Sequence, residues 1–374
     1  MDLRLTDDQV LLRDTTARFI RESCDLVKVR DLSGEGRSAD PAYLRQSAEI
    51  GWLANFVPEE FGGGSVSGDA VLDAVIIAEE RGRALQPGPF VPMNVAAYAL
   101  AGGGSDDRRA QLLPLLATGE TIVTWALADK LGDWRPESGV RATLAGGTYV
   151  LSGTKGLVQD ADIADWILVT AASDGGVLQF VVSTDAPGLS VRALDGLDLT
   201  RRLCEVQFDG VELPPAALVG GAEDASGLID RQLQLALVLT VAESVGAMDE
   251  LFRMTLEYAK ARVAFGRSIG SFQAIKHLLA DTSFLLEGSK AVAIAAARSV
   301  QAARANSSEL SGIAKAFVGE SGITLAQNCF QVFGGIGFTW EHDQHLFLRR
   351  LTTDAALYGD ASWHRERLCA SRGL

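Results

Sequence analysis

The chain has 374 residues, 47% of them hydrophobic and 22% charged, with a net charge of −14. Such a length calls for two or three cooperating units around a sizeable core, in a chain of ordinary globular composition. The acidic balance excludes an electrostatic binder of nucleic acid or anionic membrane unless a local patch reverses the sign. Cys24, Cys204, Cys329 and Cys369 lie far apart and form no CxxC pair, which argues against a zinc site or a disulfide framework and fits a reducing cytoplasm. The N-terminus, Met1-Asp-Leu-Arg-Leu-Thr-Asp-Asp8, lacks an apolar signal core. The most apolar run, Gln232 to Ala242, falls well short of the ~20 residues that span a bilayer. A soluble cytoplasmic protein is expected.

Residues 1–118 read as an N-terminal helical domain. Thr6-Asp-Asp-Gln9 forms a capping-box pattern, and Val10, Leu11, Thr15 and Phe19 follow at helical spacing. Glu59-Glu-Phe-Gly-Gly-Gly64 breaks the pattern and Val71 to Arg83 resumes it. Pro87, Pro89 and Pro92 mark a loop, and Asp107 to Thr118 gives one more short helix. Residues 119–226 change character. Short β-rich runs at 121–127, 147–153, 166–170, 177–182, 189–192 and 203–208 are separated by turn residues, the pattern of a small antiparallel barrel or sandwich. Residues 227–374 are helical again, with segments at about 228–260, 271–305, 308–333, 341–355 and 361–371, which implies an antiparallel bundle. The fold class is α+β.

One stretch stands out in this acidic chain. Arg262-Val-Ala-Phe-Gly-Arg-Ser-Ile-Gly-Ser-Phe-Gln-Ala-Ile-Lys276 contains no acidic residue and lies between two long helical segments. A basic corner broken by glycines suits an anion, because exposed backbone N–H groups and a guanidinium fork both fit phosphate oxygens. An ordinary interhelical turn with solvated arginines is the competing reading. His342 and His345 stand three apart on a helix beside Glu341 and Asp343, but nothing completes a metal site there.

The order helices, strands, helix bundle, together with three motifs, resembles the acyl-CoA dehydrogenase family over essentially the whole chain. The motifs are Arg262-Val-Ala-Phe-Gly266, Ile269-Gly-Ser-Phe-Gln-Ala-Ile-Lys276 and Gln331-Val-Phe-Gly-Gly-Ile-Gly-Phe338. The resemblance implies a FAD-dependent oxidation of the α,β bond of an acyl-CoA thioester, with a glutamate as base and an electron-transfer acceptor downstream. It implies a middle β-barrel, a C-terminal four-helix bundle and a tetramer in which each FAD crosses a subunit boundary. Arg262, Phe265, Gln273, Gln331, Gly334 and Gly335 are then expected to grip the ADP half of that FAD.

The chain departs from the family where the chemistry lies. The flavin-wall motifs, Thr-Glu-Pro and Trp-Ile-Thr, read here Ala128-Asp129-Lys130 and Leu157-Val158-Gln159. The base motif Tyr-Glu-Gly-Thr reads Tyr358-Gly359-Asp360-Ala361, so the glutamate position is Gly359. A second base position used by some members falls near Ala236. Asp360 and Glu243 are the remaining candidate bases, although proton abstraction depends on placement to within about an ångström. The leading expectation is a non-catalytic subunit of a heterotetramer, similar to actinobacterial enzymes of steroid side-chain degradation, with a catalytic acyl-CoA dehydrogenase chain as partner. A self-sufficient homo-oligomer with Asp360 or Glu243 as base, and a flavin-free scaffold, are the alternatives.

Overall fold

The computed structural model describes residues 5–34 and 40–373, so the first four residues of the acidic N-terminal octapeptide lie outside it. Helix α1 (Asp7–Ser23) begins at the expected capping box. The Thr6 hydroxyl accepts from the Gln9 backbone N–H at 3.2 Å, and the Gln9 side chain accepts from the Thr6 N–H at 3.2 Å. The buried face of α1 is Gln9, Leu12, Thr16 and Ile20, one position off the expected stripe, and Leu11 is 65% exposed. Polar contacts set that rotation. Gln9 donates to Asp73, and Thr16 accepts from the Trp52 indole at 3.3 Å.

Helices α2 (Leu26–Gly34), α3 (Pro41–Glu49), α4 (Ala70–Arg83), α5 (Phe90–Gly103) and α6 (Asp106–Ala117) complete the first unit. The expected proline loop is shorter than its sequence implied, because Pro92 lies in the first turn of α5, where a missing N–H breaks no helical bond.

Seven strands follow: β1 (Val123–Ala126), β2 (Val140–Ala145), β3 (Thr148–Gln159), β4 (Trp166–Ser173), β5 (Gly176–Ser183), β6 (Leu189–Leu194) and β7 (Leu203–Leu213). They form one sheet in the order β1-β4-β2-β3-β7-β6, with β5 on β4. Most pairs are antiparallel, but β4 takes β1, and at one position β2, in parallel. Strand β3 runs six residues past the alternating stretch that announced it, through a bulge between Lys155 and Val158, and so carries Gln159 inward. A separate apolar cluster fills this unit.

The last unit contains α7 (Ser226–Ala261), α8 (Gln273–Gln301), α9 (Ser307–Phe333), α10 (Gln344–Ala356) and α11 (Ala361–Ser371). A small hairpin, β8 (Val263–Ala264) with β9 (Arg267–Ser268), joins α7 to α8. One apolar core runs from the first helices into this bundle. It is closed by a tight crossing of α4 on α7. A Cβ on Gly82 would stand 1.9 Å from the Glu243 carbonyl oxygen, and one on Gly246 would stand 1.9 Å from that of Glu79. Only glycine lets these backbones touch, and the contact brings Arg81 to Glu243. Gly246→Ala is therefore expected to lower stability by at least about 2 kcal/mol through overpacking, read as a lower midpoint in urea unfolding.

Candidate functional site

The basic corner is built at one end of the bundle. Arg262 caps α7, its backbone N–H donating to the Tyr258 carbonyl at 2.8 Å. The chain then turns through Ala264-Phe265-Gly266-Arg267, with φ of 53° at Phe265 and 79° at Gly266. Two successive positive φ values make the two-residue hairpin turn whose twist suits the flanking strands. Glycine takes that backbone freely and phenylalanine does not, so Phe265 is held in a costly conformation. Its ring is 96% exposed, with Phe272 edge-on at 6.2 Å. Arg267 lies over the Phe272 ring at 4.1 Å.

The other corner residues gather at the same end. Tyr258 packs on Phe333 at 5.0 Å, and Asn328 of α9 donates to Thr282 of α8 at 3.0 Å, which brings the start of α8 beside the end of α9. Gln273, Gln331 and Gly335 are exposed there, and Gly334, with φ of 60°, ends α9. Among the described residues Arg262 has no carboxylate partner. The histidine pair adjoins this end through aromatic contacts. His342 meets Phe333 at 4.3 Å and His345 stacks on Trp340 at 4.8 Å.

The candidate bases are differently placed. Asp360 is exposed and caps α11, accepting from the Trp363 N–H at 2.8 Å, so its carboxylate serves the helix terminus rather than the interior. Gly359 is buried with φ of 97°, and a Cβ there would meet Trp363 Cε3 at 2.5 Å and His364 Nε2 at 3.1 Å. Its carbonyl accepts from the Lys315 ammonium at 2.9 Å, as does that of Ala355. Beside it Tyr358 packs between Trp125 at 5.7 Å and Trp134 at 5.3 Å.

Glu243 is buried and bound. Arg201 Nη2 donates to Glu243 Oε2 at 2.5 Å, and Arg81 Nε to Glu243 Oε1 at 3.4 Å. Burial works against the Glu243 charge, but Arg201, Arg81 and Arg350 hold its pKa below the usual carboxylate range. A carboxylate that binds its proton so weakly is a poor base. Arg201 also donates to Asp354 Oδ1 at 3.1 Å and to Gln159 Oε1 at 3.0 Å. Burial raises Asp354 to about 6 against the pull of Arg201 and Arg350, and the Glu243 charge adds to the rise. Gln159 in turn donates to the Gly88 carbonyl at 2.9 Å, so both ends of its amide are engaged. Arg350 donates to Asp198 at 2.6 Å and to the Leu85 carbonyl at 3.3 Å.

Sequence reasoning found Glu243 and Gln159 but missed Arg81, Arg201, Asp198, Arg350 and Asp354. One signal was available. Arg350 and Asp354 stand four apart on the α10 stripe that also carries Leu346, Phe347 and Leu351, so both were due to face inward.

Comparison with known proteins agrees with this architecture. Three family descriptions match: Acyl-CoA dehydrogenase, N-terminal domain, over residues 6–120, middle domain over 135–211, and C-terminal domain over 227–371. The chain belongs to the acyl-CoA dehydrogenase family. It is 32% identical to acyl-CoA dehydrogenase IpdE2 of Mycobacterium tuberculosis over 94% of this chain and 93% of that protein. It is 30% identical to acyl-CoA dehydrogenase FadE27 of the same organism over 96% and 95%. Among solved structures, a chain of the ChsE4-ChsE5 complex from Mycobacterium tuberculosis matches with a TM-score of 0.91 at 28% identity, covering 100% of this chain and 99% of that one. Glutaryl-CoA dehydrogenase from Mycobacterium smegmatis matches with a TM-score of 0.90 at 25% identity, covering 99% and 96%.

The cofactor of the family is FAD, and this chain's residues divide on it. The corner fits a phosphate-bearing group, having an exposed guanidinium without a carboxylate partner among the described residues, an exposed ring and backbone that can be approached closely. The positions matched to the flavin wall do not fit the ring. Gln159 is buried and committed at both ends, and the surrounding space holds the Arg201 cluster. No proton or hydride transfer follows from these groups.

Two predictions test the site. Gly359→Glu is expected to yield no dehydrogenase activity and to lower thermal stability, because its side chain meets Trp363 and its backbone has positive φ. Assay with acyl-CoA and a dye acceptor, alongside thermal unfolding, checks this. The second concerns His364, whose Nε2–H donates to the Tyr358 carbonyl at 3.0 Å. Burial, with the Lys315 charge beside it, pushes its pKa down to about 3. A folded value below the unfolded one means full stability above about pH 6.5, lost as pH falls toward 3, by on the order of 2–4 kcal/mol. Urea midpoints measured between pH 7 and 4 are expected to fall more steeply for the native chain than for His364→Gln, which keeps a donor but cannot charge.

Proposed function

We propose that this chain is the non-catalytic subunit of a two-chain, FAD-dependent acyl-CoA dehydrogenase. The reaction is α,β-dehydrogenation of an acyl-CoA thioester in the chamber of a partner chain that carries the glutamate and the flavin wall. This chain lends the Arg262 corner to the ADP half of the partner's FAD. Arg262 pairs with the pyrophosphate, Phe265 covers apolar cofactor surface, Gln273 and Gln331 meet adenosine or ribose groups, and Gly334 and Gly335 allow close backbone approach. Such a FAD supplies the hydride acceptor, and an electron-transfer protein takes the electrons on.

The observation that carries the reading is a contrast in availability. The Arg262 guanidinium is exposed and has no carboxylate partner among the described residues, whereas Glu243, Asp360 and Gln159 are each engaged elsewhere. A self-sufficient chain would need a free base and flavin wall beside the same open corner. The similarity to one chain of a named two-component complex, ChsE4-ChsE5, supports a mixed assembly. Steroid side-chain acyl-CoA is the substrate class to try first, because the enzymes with this division of labour that the chain resembles act on such thioesters.

The test is purification alone and together with a candidate catalytic chain. The expected outcome is FAD and acyl-CoA turnover only in the mixed complex, at one FAD per pair. Full FAD occupancy with turnover by this chain alone would overturn the proposal. In the complex, Arg262→Ala is expected to weaken FAD binding by about 1.5–3 kcal/mol, the worth of a charged hydrogen bond, or roughly tenfold to hundredfold in Kd. Fluorescence titration of the stripped complex with FAD measures it.

A further inference from the structure

Three buried arginines meet where the three units of the chain converge, and each comes from a different unit. Arg81 lies on α4 and reaches Glu243 of α7. Arg201 lies on the β6–β7 connection and reaches Glu243 and also Asp354 of α10. Arg350 lies on α10 and reaches Asp198 of the same β6–β7 connection, together with the Leu85 and Gln86 carbonyls that follow α4. Three carboxylates answer three guanidiniums, and all six side chains are nearly or wholly buried. The cluster sits against Gln159, at the end of β3, where the family places the wall for the flavin ring.

We infer that Arg201 is the central pin of an ionic lock that closes this chain's own flavin-ring position and joins its three units without a cofactor. The inference rests on the reading that this chain does not hold the ring. Arg201 is the pin because its three donor nitrogens are shared among three elements: Nη1 to Gln159 on β3, Nη2 to Glu243 on α7, and Nε to Asp354 on α10. A planar fork with fixed donor directions holds such partners in one geometry, which a lysine point charge does not. Removing it leaves two buried carboxylates short of a counter-charge, and that loss far exceeds the net worth of the intact pairs. Glu243 and Gln159, which in sequence look like remnants of chemistry, become parts of the lock. The Gln159 amide extends the chain of contacts to the Gly88 carbonyl before α5, a second tie between the sheet and the first unit.

The test compares the native chain with Arg201→Met, Arg201→Lys and a double variant, Arg201→Met with Asp354→Leu, each in complex with the catalytic partner. Amide hydrogen exchange and thermal unfolding are read, with FAD content measured by absorbance. Arg201→Met is expected to lower Tm by roughly 5 °C. It is expected to speed exchange together in three separate segments: 85–90, 157–160 and 351–358. Arg201→Lys is expected to recover part of the loss. The double variant, which leaves Arg81 paired with Glu243 and Arg350 with Asp198, is expected to fold with Tm near native, so a failure of the single variant to fold still leaves the lock readable. FAD per pair stays unchanged throughout, and stripping FAD from the native complex leaves exchange in the three segments as it was. Exchange changes confined to residues 198–202 in Arg201→Met, or faster exchange in the three segments on removing FAD from the native complex, would overturn the lock. One FAD per native chain would instead overturn the subunit assignment, and it is seen before any variant is made.

Discussion

A charge can be buried only where its counter-charges and hydrogen bonds are delivered to it, because the desolvation of each ion amounts to several kcal/mol. Six such charges meet at the junction of this protein, and much of the architecture serves to bring them together. The bulged length of β3 carries Gln159 inward, and the 198–202 connection turns back under it. Helix α10 presents Arg350 and Asp354 on one face. The glycine contact of α4 with α7 sets Arg81 beside Glu243. Each device is local, yet none satisfies the junction by itself. The interior therefore has a single arrangement in which every carboxylate meets a guanidinium.

The bundle end follows the opposite logic. There the Arg262 cation has no counter-charge among the described residues and a ring is left in water, on a turn whose backbone is costly for phenylalanine. Strain and exposure of that kind persist only when the surroundings over-determine them. The hairpin does so, because Ile269 N–H donates to the Arg262 carbonyl at 2.8 Å and Gly270 packs so closely on α7 that a Cβ would stand 2.9 Å from the Ala259 carbonyl oxygen. The middle of α7 and its C-terminal end thus face opposite electrostatic conditions: ion pairing inside and availability outside.

Much of this was legible in the sequence, and the limits have physical causes. The capping box at Thr6, the succession of helices, strands and bundle, and the gathering of Arg262, Gln273 and Gln331 at one place all rest on local patterns or on motifs whose spacing survives folding. The rotation of α1 was missed because Gln9 and Thr16 are buried by hydrogen bonds rather than by hydrophobicity, and a hydrophobic stripe does not register such residues. Strand β2, Val140–Ala145, escaped because four of its six positions are exposed and it buries only Val140 and Ala142. The ionic junction was the least legible feature. Its members are spread from Arg81 to Asp354, and a charged residue in sequence reads as a solvated one until its partners are known. Glu243 stood as a candidate base because its two arginines lie on segments far from it in the chain.

The exposed rings have a consequence for the life of the protein in the cell. Phe265, Phe284 and Phe338 are 96%, 81% and 79% exposed in the separate chain. Apolar surface of this kind recruits chaperones and promotes aggregation while it stays uncovered. Copies made in excess of whatever covers that surface carry their own mark for removal. The level of the chain is then tied to the supply of whatever covers those rings.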